Sequence, residues 1–514
     1  MQGLSLLPVL TFLTFWCFVL YFDVKKVPKN AIFLFTSDAL SHVLGFVATI
    51  YIARLIGVEG FGMVSFSLAF LNYALLFGNP GLTTLGTREI ARNKQNKSII
   101  ENITSTRIVL TVVIFILMAL GVLVIPGNAT VKSLVLVYSL TLFPFALYLE
   151  FVFQGREEME FVGIARFIQY ASYLVLLFLL LKPSGTILTI PLCFFLSYVA
   201  AAAFFTYAFI RKYRAARFSF SMENARSLVI AAVPVGLATI LYQVALNLPP
   251  VMLGFNAGQR EVGYFASAYK IIVMLLIIER VFYYVFFPIA SRQYQQAKDK
   301  LNDTFTAFIK FLSALTIPLT AGGIALAPRI IGLVYGADFT DTTPALRILL
   351  LYFMISPINT VLGYGLIAME KEKVFLKNIG ITAFICVVLV FAGSYYAGSP
   401  GVAAALFIAE CVGLVLMTNE VRKTIILSPL RQVWRQVASA LVMMVVLIPL
   451  IIFFCRLNLV LLIVIGIIAY LIALYFFKGF TALELRTIAG LFREKIDPNA
   501  PVLAPDTPLN NDMK

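Results

Sequence analysis

Charge is scarce in this 514-residue chain: Asp, Glu, Lys and Arg make up 13% of it, against 61% for hydrophobic residues. Soluble domains carry about 25% charged residues, so a water-exposed globular surface is excluded for most of the chain, which reads as a polytopic all-α membrane protein. There is one histidine, His42, and there are five cysteines, all inside apolar runs without metal or redox spacing. A histidine- or cysteine-built metal site is therefore not expected, and the cysteines read as small buried hydrophobes. Neither GxxxxGK[ST] nor HExxH occurs, so ATP hydrolysis within this chain and zinc-protease chemistry have no motif to rest on. The net charge of +15 is not read as a nucleic-acid footprint, because in a membrane protein a Lys/Arg excess marks the cytoplasmic loops.

What is present is apolar sequence in lengths that cross a bilayer, roughly 20 residues per helix. Breaks at charged and Pro/Gly-rich positions give fourteen spans, near 31–56, 62–86, 108–126, 131–153, 162–181, 186–210, 228–253, 262–289, 305–327, 345–369, 374–396, 401–421, 436–455 and 458–477. Basic residues test this division. Lys25, Lys26 and Lys29 precede the first span, Arg88 to Arg107 follow the second, Arg211 to Arg226 the sixth, and the later even connections are equally basic. The odd connections carry few cations, among them Arg54, Lys132 and Arg260. Both ends of the core are thus expected on the cytoplasmic side.

Two terminal segments stand apart. Residues 1–22 are long enough to span but lack a basic n-region and a cleavage site. They read as an extra helix, an uncleaved targeting segment, or translation upstream of a natural start near Val24, the last being preferred. Residues 480–495 read as an interfacial amphipathic helix followed by a disordered tail.

An internal echo is visible. "GVEGFGMVSFSLAF" (57–70) aligns with "GQREVGYFASAYKI" (258–271) through Gly57/Gly258 and Gly62/Gly263, and "REEMEF" (156–161) resembles "EKEKVF" (370–375). Six-helix halves repeated about an axis along the membrane normal would place them so.

The segments "LGFVATIYIARLIGVEGFGMVSFSLAF", "GLTTLGTREIAR", "VMLGFNAGQREVGYFASAYKI", "VYGADFTDTTPALRILLLYF" and "AMEKEKVFLKNIG" followed by "GVAAALFIAE" resemble the polysaccharide transporters, or O-antigen-type flippases, of the multidrug/oligosaccharidyl-lipid/polysaccharide superfamily. The resemblance runs from Ala31 to the fourteenth span. It implies two six-helix bundles in a V around a central cavity, over residues 23–217 and 218–424, with two accessory helices over 425–478 and a cytoplasmic helix and tail over 479–514. It also implies alternating access in the cell membrane and a polyprenyl-diphosphate-linked oligosaccharide moved from the cytoplasmic to the outer leaflet. Glycan-assembly proteins are the implied partners, and a monomer is the implied working unit. Related sequences often carry an acid soon after the asparagine of the seventh span. Here Asn247 is followed by Leu248, Pro249 and Pro250, where a break or kink is expected.

Charge inside a span costs about 2.5–3.5 kcal/mol on insertion scales, so each instance is a functional candidate. Lys270 lies roughly 12 Å along the eighth span at 1.5 Å per residue, on a face shared with Gly263, Ala266 and Ser267. It is a candidate for contact with an anionic head group, against snorkelling or a structural pair. For Arg280, beside Glu279, substrate binding and structural pairing weigh equally. Tyr242, Gln243 and Asn247, with Tyr283 and Tyr284, are candidates for sugar contact, and Glu150 is read as interfacial. The ion-coupling candidates are Glu410, near the middle of the twelfth span, and the pair Asp38 and His42, which share a polar stripe with Ser41, Gly45 and Thr49. The competing reading is polar helix packing for Asp38 and His42, and a structural partner for Arg280 or Lys270 for Glu410. No cofactor is expected, so the drive would be a proton or sodium gradient or the membrane potential. A cation-coupled multidrug exporter of the same fold is the nearest alternative. A membrane-embedded glycosyltransferase or polymerase is disfavoured, because no outer loop is large enough for a catalytic domain.

Overall fold

The computed structural model describes residues 29–94, 97–125, 128–182, 185–213, 222–296, 298–425, 429–454 and 457–480. The segment 1–22 and the amphipathic segment beyond Phe480 lie outside the described residues.

The described residues form seventeen α-helices and one 3-10 turn, without strands. The N-terminal half comprises α1 (Lys29–Gly78), α2 (Leu82–Arg92), α3 (Lys97–Gly121), α4 (Ala129–Ser139), α5 (Leu142–Ala146), α6 (Glu150–Gly155), α7 (Met159–Leu180) and α8 (Thr189–Tyr213). The second half comprises α9 (Met222–Asn256), α10 (Gln259–Leu275), α11 (Ile277–Gln296), α12 (Lys298–Val334), the 3-10 turn Ala337–Thr342, α13 (Thr343–Ala368), α14 (Glu372–Tyr396) and α15 (Gly398–Arg422). Then follow α16 (Pro429–Phe453) and α17 (Leu459–Phe476). Twelve helices among the described residues are long and apolar enough to cross a membrane. One of these, Leu40–Gly78, bends at Gly57 and so contains two of the expected spans, and α9 lies where the seventh was expected.

Glycine sets the corners at the end of the bundle that the charge pattern marks as outer. Gly57 (φ 69°, ψ −177°), Gly258 (φ 90°, ψ 173°) and Gly336 (φ 100°, ψ 179°) share a backbone conformation essentially closed to other residues. The echo between the halves is thus conformational. It recurs at the opposite end, where Glu157 (φ 63°) and Glu370 (φ 59°) each lie two residues before the helices α7 and α14. That alignment is one residue out of register with the literal match of "REEMEF" to "EKEKVF".

The core divides along the bundle. Towards the outer end one apolar cluster takes residues from both halves, with Ala53, Phe61 and Phe66 packed together with Phe265, Ile272 and Phe353. Towards the inner end there are two clusters. Leu82, Phe151, Phe153 and Phe205 of the N-terminal half form one together with Ala232 of α9, while Phe286, Phe305, Phe308 and Leu362 form the other in the second half. Helices α16 and α17 pack on α12 through Ile317, Met443, Leu447 and Tyr470, whose hydroxyl donates to the Ala314 carbonyl at 2.9 Å.

Three expected spans differ in form. The fourth is three short helices rather than one, because Pro144 interrupts the run and the chain turns at Leu140 and Leu147. The eighth is divided at Leu276 into α10 and α11. The seventh shows the reverse, since α9 is helical straight through Pro249 and Pro250. Neighbouring helices hold it there: Tyr73 Oη donates to the Val244 carbonyl at 2.9 Å, and Gly254 lies directly against the Phe66 ring.

Candidate functional site

The polar residues of the first span gather in the N-terminal half. Ser41 is buried and bonds back to the Ser37 carbonyl at 2.7 Å, and Thr49 does the same to Gly45 at 2.9 Å, so both hydroxyls are satisfied within α1. His42 is half-buried. A Cβ on Gly45 would stand 3.0 Å from Tyr170 Cε1, so the absent side chain lets α7 approach one turn from His42. Asp38 lies on the same helix, but its side chain is outside the described residues.

Ser41, His42 and Tyr170 line a cavity of about 290 Å3, together with Phe145, Tyr148, Tyr198, Glu150, Arg166 and Gln169. Arg166 Nη2 donates to Glu150 Oε1 at 2.7 Å, and Gln154 Nε2 donates to the same oxygen at 2.8 Å. The two charged side chains are 32% and 18% exposed. Glu150 is thus half-buried: the breaks before α6 turn it inward, where a charge partner makes its burial tolerable. Tyr148 Oη donates to Gln169 Oε1 at 2.8 Å.

Behind this cavity stands Arg107. The charge pattern assigns it to a basic loop, yet α3 begins at Lys97 and carries Arg107 into the interior, where it is 1% exposed. Its Nη1 donates to the Tyr148 carbonyl at 2.9 Å and its Nη2 to the Phe145 carbonyl at 2.6 Å, with the guanidinium 4.9 Å from the Phe145 ring. These carbonyls belong to the broken α5–α6 region, where no continuous ladder of N–H groups donates, although the Tyr148 N–H reaches the Phe145 carbonyl at 3.0 Å. Pro144 marks the break but frees only a carbonyl of the turn before it, so no local sequence signal points to the Phe145 and Tyr148 carbonyls, for which a buried guanidinium with its several donors is suited.

The second half holds another polar group. Asn359 of α13 donates from Nδ2 to Glu410 Oε1 at 2.9 Å and to the Glu410 carbonyl at 2.8 Å. Ser356 Oγ donates to Glu279 Oε2 at 3.2 Å and Thr360 Oγ1 to Glu279 Oε1. Thus α13 presents both carboxylates with neutral donors around Pro357, which interrupts its own ladder. Lys270 is half-buried on α10 and, among the described residues, has no hydrogen-bond or ion-pair partner. Arg280 is on α11, beyond the Leu276 break from Lys270, and its side chain, like that of Tyr242, lies outside the described residues. So do those of Tyr283 and Tyr284. Among the described residues no three His, Cys, Asp or Glu side chains are gathered to hold a metal.

The halves meet between these groups. Asn72 Nδ2 donates to Asn247 Oδ1 at 2.8 Å, while Asn247 Nδ2 donates to the Gln243 carbonyl at 2.8 Å. At the outer end Arg54 donates from Nε to the Val334 carbonyl at 2.8 Å and from Nη2 to the Leu333 carbonyl, closing α1 onto the C-terminus of α12. The Phe61 ring lies 6.5 Å from Tyr335 and 6.3 Å from Phe339. Within the second half, Tyr264 Oη donates to Asp341 Oδ2 at 2.9 Å and ties α10 to the 3-10 turn.

Residues 27–295 match the family model described as polysaccharide biosynthesis protein. The chain is 24% identical over 404 residues to a putative O-antigen transporter of Shigella dysenteriae, covering 77% of this chain and all of that one. Among solved structures it is similar to the Lipid II flippase MurJ in an inward closed conformation, with a TM-score of 0.72, 17% identity, and 87% and 99% of the two chains covered. An inward-facing multidrug resistance transporter of the MATE family, in the MOP superfamily, gives a TM-score of 0.60 at 15% identity over 75% and 95%. The fold is that of the two-bundle transporters.

Proposed function

Because this chain belongs to the polysaccharide biosynthesis protein family, we propose that it is a flippase, which moves a polyprenyl-diphosphate-linked oligosaccharide from the cytoplasmic to the outer leaflet of the cell membrane. The observation that carries this reading is the match of residues 27–295 to that family, together with the two-bundle fold that the chain has in common with a Lipid II flippase. The direction of transport uses the Lys/Arg pattern, which puts both ends of the core inside. The names of two similar proteins, an O-antigen transporter and a Lipid II flippase, point to the same class of cargo.

On this reading Lys270 and Arg280 contact the diphosphate, for which cations are the natural partners, while Tyr242, Gln243 and Asn247 contact the head group beyond it. The Asn72–Asn247 bond would then have to yield when cargo arrives. Asp38 with His42 in one half, and Glu410 in the other, are the groups proposed to couple transport to a proton or sodium gradient or to the membrane potential. The protein works as a monomer beside glycan-assembly proteins, without a bound cofactor.

Purified protein in proteoliposomes tests the reading. It should accelerate leaflet exchange of a polyprenyl-diphosphate-linked form of the host's own oligosaccharide, measured by the fraction accessible to an added glycosidase. Exchange no faster than in protein-free vesicles overturns it.

A further inference from the structure

We infer that the cavity between α1, α5, α7 and α8 is a subsite for one pyranose ring of the glycan, distinct from the diphosphate contacts proposed at Lys270. This rests on the flippase reading above and adds a place and a chemistry for the sugar.

The cavity has two kinds of wall. One is aromatic: Phe145 and Tyr148 have ring centroids 6.0 Å apart, Tyr198 is 6.0 Å from Tyr148 and 6.3 Å from Phe145, and Tyr170, seated against Gly45, also lines the cavity. Aromatic faces are electron-rich and receive the C–H faces of a pyranose, while rejecting neither its ring oxygen nor its hydroxyls. The other wall is polar. Glu150, Arg166 and Gln169 supply acceptors and donors fixed by their own partners, since Arg166 and Gln154 hold Glu150 and Tyr148 holds Gln169. Side chains positioned in this way recognise hydroxyls with little ordering left to do on binding. About 290 Å3 has room for a pyranose ring.

Charge decides against the other ligand that an aromatic-lined carboxylate could attract, an organic cation. The negative charge of Glu150 is already matched by Arg166 at 2.7 Å, and that guanidinium would repel a second cation. A neutral polyhydroxyl ring meets no such penalty. Arg107 maintains the arrangement from behind by holding the carbonyls of Phe145 and Tyr148, the two residues that begin the aromatic wall.

The test uses full-length protein in nanodiscs and two variants, Gln169→Leu and Tyr170→Ala, each checked for folding by its melting temperature. Saturation-transfer NMR with the methyl glycosides of glucose, galactose and N-acetylglucosamine, and with tetraphenylphosphonium as the cation probe, reads binding directly. At least one glycoside should bind wild type in the millimolar range and lose affinity by about tenfold or more in both variants, the loss expected from one or two hydrogen bonds and a stacking face. In proteoliposomes the variants should flip the glycan-bearing lipid more slowly, yet flip the sugar-free polyprenyl diphosphate as wild type does. Glycoside binding that is absent, or equal in folded variants and wild type, overturns the subsite, as does displacement of the glycoside by tetraphenylphosphonium. Wild-type flipping with unaffected variants removes the subsite and leaves the flippase reading standing. Wild type that flips neither lipid removes the flippase reading itself.

Discussion

Gly62 and Gly263 occupy equivalent places in the two halves, and each is pressed against the backbone of the other's segment. A Cβ on Gly62 would run into the Gln259 carbonyl, and one on Gly263 into the Val58 carbonyl. The reciprocity is what a two-fold repeat produces when its halves close on each other, and it makes this contact the tightest part of the outer end. A carrier must separate these backbones to open outward, and only glycine at both positions lets them meet when it closes.

Gly62→Val should therefore weaken the outer closure, by about 1–3 kcal/mol on the scale of overpacked contacts. Thr342, buried beneath the outer end and bonded to Ser267 at 3.1 Å, gives a reporter position. In a Thr342→Cys background, labelling by a membrane-impermeant maleimide should rise at least tenfold with Gly62→Val. Unchanged labelling would show that the contact does not hold the end shut.

Arg54 reaches the same closure by a different route, through the carbonyls of Leu333 and Val334. Its side chain is exposed, so solvent competes for these bonds and each is worth about 0.5 kcal/mol, the low end for intramolecular hydrogen bonds. Arg54→Ala should raise labelling of the same reporter about three- to tenfold, less than Gly62→Val. A larger effect from Arg54→Ala would reverse the ranking of backbone packing over hydrogen bonding at this end.

The corners were legible from sequence because they depend on one residue each: Gly57 and Gly258 adopt conformations that only glycine takes, so their spacing survives as a visible echo. The second echo was legible only to within a residue, since Glu157 and Glu370 adopt positive φ without a glycine to announce it. Long apolar runs gave the helices, but their breaks at Leu140, Leu147 and Leu276 follow from tertiary packing and carry no local mark apart from Pro144. Arg107, Glu150 and Arg166 were hidden for a related reason. A basic or acidic residue near the end of a span looks like an orientation signal or an interfacial group until the break opposite supplies its partners. His42 could be placed on a polar face, yet the aromatic residues it meets come from α5, α7 and α8, 100 or more residues further on.

Arg107 gives the third expectation. Arg107→Met removes the side-chain donor to the Phe145 carbonyl, which keeps the Tyr148 N–H at 3.0 Å, and the donor to the Tyr148 carbonyl, at roughly 1–3 kcal/mol for a buried carbonyl left unpaired. Thermal unfolding of the purified variant should show a clearly lower midpoint, and sugar binding should fall with it. An unchanged midpoint would mean that water or another donor already serves these carbonyls.

Lys270 separates charge from shape. If it meets the diphosphate, Lys270→Ala should abolish complementation of surface-glycan export in a flippase-deficient host, while Lys270→Arg keeps part of it, because a guanidinium retains the charge with different geometry. An active alanine variant would remove Lys270 from the binding set.

Glu410 allows the coupling step to be separated from the transport step. Its carboxylate accepts from Asn359 Nδ2, and glutamine in its place can keep that bond through its own carbonyl oxygen while losing the charge. If the exchange of a proton or sodium ion at this carboxylate drives the cycle, Glu410→Gln should still equilibrate lipid-linked glycan between leaflets at near the wild-type rate. It should fail to accumulate it against a gradient, because a side chain with one charge state cannot distinguish the two sides of the membrane. Proteoliposomes with an imposed ion gradient measure both quantities in one preparation. Accumulation by the variant equal to wild type would assign Glu410 to the packing of α13 on α15 and leave coupling to the other half. Loss of equilibration and accumulation together would instead place the carboxylate in the conformational change itself, since a purely coupling group can be silenced without stopping exchange.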